Sequence, residues 1–120
     1  MKKKFIGFSL VVLSLGAFFV GTYYHMKSTE AQQNYVDLSK ETDKIVVFYR
    51  EDCPDCQSVF PSLYYHNLVY QDLVFVNMNN QKNRQYIVSY NLKSVPTFSK
   101  DNDSYSGTNK SKIAQFVKSH

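Results

Sequence analysis

The two cysteines of this 120-residue sequence, Cys53 and Cys56, are separated only by Pro54 and Asp55. Two positions three apart lie one turn apart on the same face of a helix, where their sulfurs can close a small disulfide ring. Such a pair can exchange with another disulfide, with Cys53 attacking and Cys56 resolving the mixed disulfide. Half of a metal site and an inert structural bridge are the alternatives for the same pattern.

The elements predicted around this pair favour the redox interpretation. Residues 44–50 (KIVVFYR) form a β-branched and aromatic run that predicts a buried strand. A helix is predicted over residues 53–70, with Asp52 or Cys53 near its N-cap and Pro54 in its first turn, where a missing N–H costs nothing. Because a helix N-terminus stabilises a thiolate, we expect Cys53 to be the exposed nucleophile.

Further strand and helix patterns alternate along the rest of the chain. They predict strands over residues 44–50, 73–78, 95–98 and 104–105, and helices over residues 53–70, 81–90 and 111–119. This order predicts an α/β domain in which the first three strands pair in parallel and the last hairpin adds an antiparallel edge. Tyr86, Ile87 and Tyr90 are expected on the inner face of the second helix, and residues 35–38 are expected to form a short additional strand.

The N-terminal residues predict a helix that spans a membrane. Lysines at positions 2–4 precede residues 5–26, which contain no Lys, Arg, Asp or Glu and are long enough to cross a bilayer. Positive charge before the segment favours a cytoplasmic N-terminus, with the rest of the chain exported. A cleaved signal peptide, with residues 29–31 as a loose cleavage site, is the alternative. Both interpretations place the domain outside the cytoplasm, where disulfides persist.

The chain is therefore divided into a signal anchor or signal peptide over residues 1–27, a polar linker over 28–34 and a domain over 35–120. The formal net charge of +4 comes from the N-terminal segment, since basic and acidic side chains are equal in number after residue 27. A neutral domain is a poor polyanion binder, so no nucleic-acid partner is expected. Two cysteines also exclude a scaffold with several disulfides and any four-cysteine zinc site, and no metal ligands are predicted.

Two segments, FYREDCPDCQSVFP and SVPTF, together resemble the thioredoxin superfamily. Pro61 lies where that family has its helix-kinking proline, and Pro96 lies at about the family's separation between the attacking cysteine and a cis-proline. The resemblance covers roughly residues 44–120. It implies a thioredoxin-like α/β fold with a central mixed sheet of about four strands, flanked by helices and preceded here by the N-terminal transmembrane or signal helix.

The resemblance also implies roles for individual residues. Cys53 would be the nucleophile, Cys56 the resolving thiol and Pro96 the cis-proline beside them. The backbone of Val95, before that proline, would pair with an extended substrate segment. No cofactor is implied, because electrons pass directly between sulfur atoms.

This chain departs from the family pattern at positions that affect the redox potential and the transfer of the proton of the resolving thiol. Thioredoxins have Trp before the first cysteine and Gly-Pro between the two, where this chain has Asp52 and Pro54-Asp55. They also have a buried Asp in one strand and a Lys in the next, which help to move the proton of the resolving thiol. Val47 and Phe75 occupy those positions, so a fast general reductase is not expected.

Acidic residues around Cys53 make Asp52, Pro54 and Asp55 candidates for redox tuning. Like charge from Glu51, Asp52 and Asp55 disfavours a thiolate. The sequence thus predicts a potential nearer thioredoxin's, about −270 mV, than that of the strong disulfide oxidants, about −120 mV. Acidic residues near a helix N-terminus also stabilise the helix itself, which is the alternative explanation.

These observations lead to one functional hypothesis and three alternatives. The hypothesis is an extracytoplasmic thiol–disulfide oxidoreductase, single-pass in a bacterial envelope membrane, that exchanges disulfides with cysteine-containing proteins or peptides and with a redox partner protein. A non-catalytic thioredoxin-fold adaptor, an accessory protein for export of a bacteriocin-type peptide, and a metal-handling protein remain open.

Overall fold

A computed structural model describes residues 2–120, with side chains from residue 4 onward, as two compact units. The first unit is helix α1, Lys2–Ala31, and the second is the domain Gln32–His120. From residue 4, α1 is long and apolar enough to cross a membrane by length and composition. The predicted N-terminal apolar helix is thus present, and it also includes the first residues of the segment that was expected to be a linker.

The domain contains four strands and three further helices. They are β1 Ile45–Tyr49, α2 Pro54–Tyr70, β2 Leu73–Asn77, α3 Tyr86–Ser89, β3 Thr97–Lys100, β4 Asp103–Ser106 and α4 Lys110–Ser119. Two 3₁₀ helices, Leu38–Lys40 and Gln81–Gln85, complete the regular structure. The predicted α/β architecture with a four-stranded mixed sheet is confirmed.

The strands lie in the order β2-β1-β3-β4. β1 and β2 are parallel and joined through α2, whereas β3 runs antiparallel to β1, so the predicted parallel pairing of the third strand is wrong. The connection explains the difference. Asn77 pairs with Tyr49 and Thr97 with Phe48, so the chain leaves β2 and enters β3 at the same end of the sheet. The four-residue α3 is too short to return it to the opposite end.

The sheet is covered on both faces, which explains the continuous apolar character of β1. All five residues of β1 are buried. One face of the sheet packs against α2 and α4 through a cluster of Ile45, Val47, Val59, Leu63, Leu73, Phe98, Ile113 and Phe116. The opposite face packs through Leu38, Val46, Phe48, Val76, Met78 and Tyr86. A strand between two apolar layers needs no polar alternation.

Two local predictions are corrected. The helix expected over residues 81–90 is a 3₁₀ helix followed by the short α3, and this change of winding leaves Tyr86 buried but Ile87 and Tyr90 exposed. No strand forms over residues 35–38, because side chains satisfy the backbone there. The Val36 N–H donates to Asn83 Oδ1 at 3.1 Å, and the Tyr86 hydroxyl donates to the Val36 carbonyl at 2.6 Å.

Three asparagines fasten the start of the domain to the segment after β2; we call them the asparagine ladder. Spaced three residues apart, their side-chain amides donate to consecutive carbonyl groups: Asn77 to Gln32, Asn80 to Gln33 and Asn83 to Asn34. The amide of Asn83 also donates to the Asn77 carbonyl at 2.9 Å. The ladder therefore gives residues 32–34 hydrogen-bond partners without adding a strand to the sheet.

Candidate active site

Cys53 caps the helix whose first turn contains Cys56. Its backbone is extended, and its Sγ accepts a hydrogen bond from the backbone N–H of Cys56 at 3.3 Å. The sulfur thereby takes the role that a Ser or Asp oxygen usually has at a helix N-cap. Pro54 is the first residue of α2, and the predicted cap at the strand-to-helix junction is confirmed.

The two thiols differ in exposure. Cys53 is half-buried, whereas Cys56 is only 1% exposed. Both are free thiols. An incoming disulfide therefore reaches Cys53 first, and the sulfur of Cys56 lies inside, one turn along the same helix.

Burial also separates the thiols chemically. It raises the pKa of the Cys56 thiol to about 12, and the hydrogen bond with Cys53 adds to this increase. A backbone hydrogen bond from Arg50 and its positive charge act in the opposite direction but are outweighed. At neutral pH, Cys56 is therefore an uncharged thiol.

The loop before β3 brings Val95, and Pro96 after it, next to Cys53. The Cys53 thiol donates to the Val95 carbonyl with a distance of 3.9 Å, and the Val95–Pro96 peptide bond is cis. Pro96 is buried, and its carbonyl accepts the N–H of Gly107 at 3.2 Å. The contact between Cys53 and Val95 depends on the antiparallel direction of β3, because a parallel strand would have started at the opposite end of the sheet.

The acidic residues before Cys53 have specific partners. Asp52 Oδ1 accepts from the Asn79 amide at 3.0 Å and lies 3.4 Å from Arg50 Nε. The hydrogen bond from Asn79, with support from Arg50, lowers the pKa of the Asp52 carboxyl. Glu51 accepts hydrogen bonds from Asn79 and from Gln33. Sequence reasoning missed Asn79 and Gln33, since neither is close to the cysteines in the chain.

Pro54 and Asp55 are both exposed in the first turn of α2. A carboxylate in this turn stabilises the helix through its dipole. The redox-tuning roles of Asp52, Pro54 and Asp55 stay predictions.

Thioredoxins have an Asp and a Lys that help to move the proton of the resolving thiol, and apolar side chains occupy both positions in this structure. Val47 on β1 and Phe75 on β2 are direct partners in the parallel register. Val47 is buried, and Phe75 packs against the same apolar cluster. Neither can accept or donate the proton of a thiol.

A cleft of about 480 Å³ opens beside Val95. Arg50, Arg84 and Lys93 contribute its charged lining, and Ile87 and Leu92 contribute apolar surface. Sequence reasoning missed these residues as a group, because they come from three separate segments that only the fold brings together.

The thioredoxin family model matches residues 25–119. No curated protein matches the chain. Similar structures include a thioredoxin from Plasmodium falciparum, with 25% identity, a TM-score of 0.56 and coverage of 68% of this chain and 88% of that one.

Two further thioredoxin structures are similar to this chain. That of Fasciola hepatica has 22% identity and a TM-score of 0.56, covering 69% of this chain and 86% of that one. That of Malassezia sympodialis has 20% identity and a TM-score of 0.59, with coverages of 74% and 87%. The family match, the fold and the close cysteine pair support activity of the thiol–disulfide oxidoreductase type. The chain belongs to the thioredoxin family.

Proposed function

We propose that this protein is a membrane-anchored oxidoreductase that exchanges disulfides with cysteine-containing proteins or peptides outside the cytoplasm. One observation carries the proposal. The half-buried Cys53 sulfur lies at the N-cap of α2, hydrogen-bonded to the Cys56 N–H and the Val95 carbonyl, while Cys56 is buried one turn inward. An accessible nucleophile and a protected resolving thiol are what two-step disulfide exchange requires.

The reaction begins when the Cys53 thiolate attacks one sulfur of a substrate disulfide. A bond forms between Cys53 and that sulfur, the substrate S–S bond breaks, and the other substrate sulfur leaves as a thiolate that takes up a proton. Cys56 then loses its proton and attacks the Cys53 sulfur, forming the Cys53–Cys56 disulfide and releasing the second substrate thiol. The substrate gains two electrons and the protein loses two, and a redox partner protein reverses the change. The same steps in reverse oxidise a dithiol substrate.

An extended substrate segment beside Val95 and Pro96 fits the first step. The Val95 carbonyl already accepts a hydrogen bond from Cys53, so a substrate backbone here would be held close to the reacting sulfur. Main-chain pairing of this kind gives affinity without demanding one substrate sequence.

The proposed location rests on α1. Its length and apolar composition suit a single membrane span, and lysines at positions 2–4 favour a cytoplasmic N-terminus. The domain would then face the outer side of a bacterial cytoplasmic membrane. Disulfides persist in that compartment, so disulfide-bonded substrates would be present there for exchange.

Trapping with a Cys56→Ser variant tests the proposal. Without its resolving thiol, the full-length protein should accumulate mixed disulfides with envelope proteins through Cys53, visible as reducible higher-mass species. The matched Cys53→Ser variant should accumulate none. If Cys56→Ser captures no more envelope protein than Cys53→Ser does, the oxidoreductase proposal is wrong.

A second candidate, a thioredoxin-fold adaptor, is favoured by the apolar pair Val47 and Phe75 and by the high pKa of Cys56. Because Val47 and Phe75 cannot accept the proton of Cys56, resolution would be slow and a bound partner would be held longer, as an accessory protein for peptide export would require. Repeated reduction of a disulfide peptide by the wild-type protein with excess dithiothreitol would support the enzyme. A stable one-to-one adduct with no turnover would support the adaptor.

A further inference from the structure

The cleft beside Val95 is positively charged. Arg50, Arg84 and Lys93 all line it, and no carboxylate among the described residues does so. The acidic residues Glu51 and Asp52 are outside the lining and are engaged by Asn79. The surface next to the reactive cysteine therefore has a local charge opposite to that of the residues that flank Cys53 in sequence.

Two of these cations are available to a ligand. Within residues 4–120, no carboxylate lies within ion-pair distance of Arg84 or Lys93, and both are exposed. Arg84 Nε donates to the Met78 carbonyl at 3.1 Å, which fixes the guanidinium while its terminal N–H groups remain free to bind. A fixed guanidinium binds a carboxylate in a bidentate manner at lower entropic cost than a mobile one.

Apolar side chains accompany the cations. Ile87 is exposed, Leu92 and Val95 are half-buried, and all three line the cleft. Its volume of about 480 Å³ falls within the usual range of ligand sites, about 300–1,000 Å³. A segment that fills the cleft would thus combine negative charge with an aliphatic or aromatic side chain.

We propose that this basic cleft selects substrates whose reactive cysteine is flanked by an acidic residue and an apolar residue in an extended peptide. The inference rests on the proposed disulfide exchange and specifies its substrate class. The Val95 carbonyl, 3.9 Å from Cys53 Sγ, connects the cleft to the reacting sulfur, so a peptide bound by Arg84 and Lys93 places its own cysteine at Cys53. Charge complementarity of this kind acts mainly on the rate of association.

The test uses reduced full-length protein in a neutral detergent and peptides whose cysteine is disulfide-bonded to thiopyridine. Cys53 attacks the peptide sulfur, a Cys53–peptide disulfide forms, and thiopyridone leaves with the electron pair and a proton, which gives an absorbance signal. One peptide places Asp and Leu beside the cysteine, and its partner replaces Asp with Lys. Uncharged dithiodipyridine reports the intrinsic reactivity of Cys53 in every variant.

We expect the Asp peptide to react about tenfold faster than the Lys peptide at low ionic strength, as electrostatic steering produces. The ratio should fall towards one in high salt, because exposed charges are screened. Arg84→Gln or Lys93→Gln should lower the ratio, and Arg84→Glu combined with Lys93→Glu should invert it. Lys112→Glu, on the exposed face of α4 and outside the cleft, should leave the ratio unchanged.

Equal rates with the two peptides, or a ratio that Lys112→Glu changes as much as the cleft variants do, would overturn the inference while leaving disulfide exchange intact. Failure of reduced Cys53 to react with dithiodipyridine and with both peptides would instead contradict the proposed function, and the inference with it.

Discussion

Cys53 and Cys56 have the same side chain but different surroundings, and this difference orders the chemistry. Cys53 accepts a hydrogen bond at the N-cap of α2 and remains accessible. Cys56 is buried, which raises its pKa to about 12. Because only a thiolate is a competent nucleophile, we expect the accessible Cys53 to attack the substrate and the ionisation of Cys56 to limit resolution.

Resolution of a mixed disulfide is therefore expected to accelerate with pH. Below its raised pKa, the thiolate fraction of Cys56 grows about tenfold per pH unit, so release of a labelled peptide from Cys53 should accelerate about tenfold for each pH unit between about pH 7 and 9. Burial, the largest cause of the shift, persists when Cys53 is bonded to the peptide. Quenched-flow measurement of peptide release checks this, with Cys56→Ser as the variant that releases none. A rate that levels off near neutral pH would contradict it.

At the scale of elements, the site depends on the segment between β2 and β3. The short α3 keeps this segment at one end of the sheet, which brings Val95 to the start of α2. The asparagine ladder fastens the same segment to residues 32–34. Side-chain amides thus join residues 32–34 to this segment without a further strand in the sheet.

Within the asparagine ladder, Asn83 is expected to contribute most to the stability of the domain. It is 0% exposed, donates to the carbonyls of Asn34 and Asn77, and accepts from the Val36 N–H. Asn83→Ala leaves these buried groups unpaired and should lower the free energy of unfolding by about 3 kcal/mol. Urea denaturation of the full-length protein in detergent measures the change.

Asn80→Ala provides the matched control, because Asn80 is only half-buried. It should cost about 1 kcal/mol, mainly through loss of the cap that its side chain gives the Lys82 N–H. Equal losses for the two variants would contradict the assignment of Asn83 as the central rung.

Strand and helix types in this chain could be predicted from local pattern, but strand direction could not. The apolar run of β1 and the Cys-Pro pair at the start of α2 specify those elements by themselves. The direction of β3 depends on how far α3 reaches, and a pattern of apolar residues does not distinguish a four-residue α-helix after a 3₁₀ turn from one long helix.

The residues of the site could likewise be predicted only where their sequence spacing is local. Cys53 and Cys56 were identifiable because their spacing is local. Arg50, Arg84 and Lys93 meet only through tertiary structure, and their separate positions in the sequence carry no signal of it.

At the scale of the whole molecule, both cysteines belong to the domain, so thiol labelling reports its proposed side of the membrane. A membrane-impermeant maleimide added to intact cells with a permeable outer layer should label the full-length protein once, at Cys53, because Cys56 is buried. Cys53→Ser should abolish labelling. Labelling that appears only after the membrane is disrupted would contradict an extracytoplasmic domain.

The position of β2 at one edge of the sheet has a consequence for solution behaviour. Within the described chain, its outer row of peptide groups has no neighbouring strand, and its sequence, LVFVN, contains neither a charge nor a proline. Charged residues and prolines in an edge strand are the features by which proteins usually discourage strand addition by foreign chains. Concentrated protein is therefore expected to associate edge to edge through β2, and a charged residue on this edge would oppose such association.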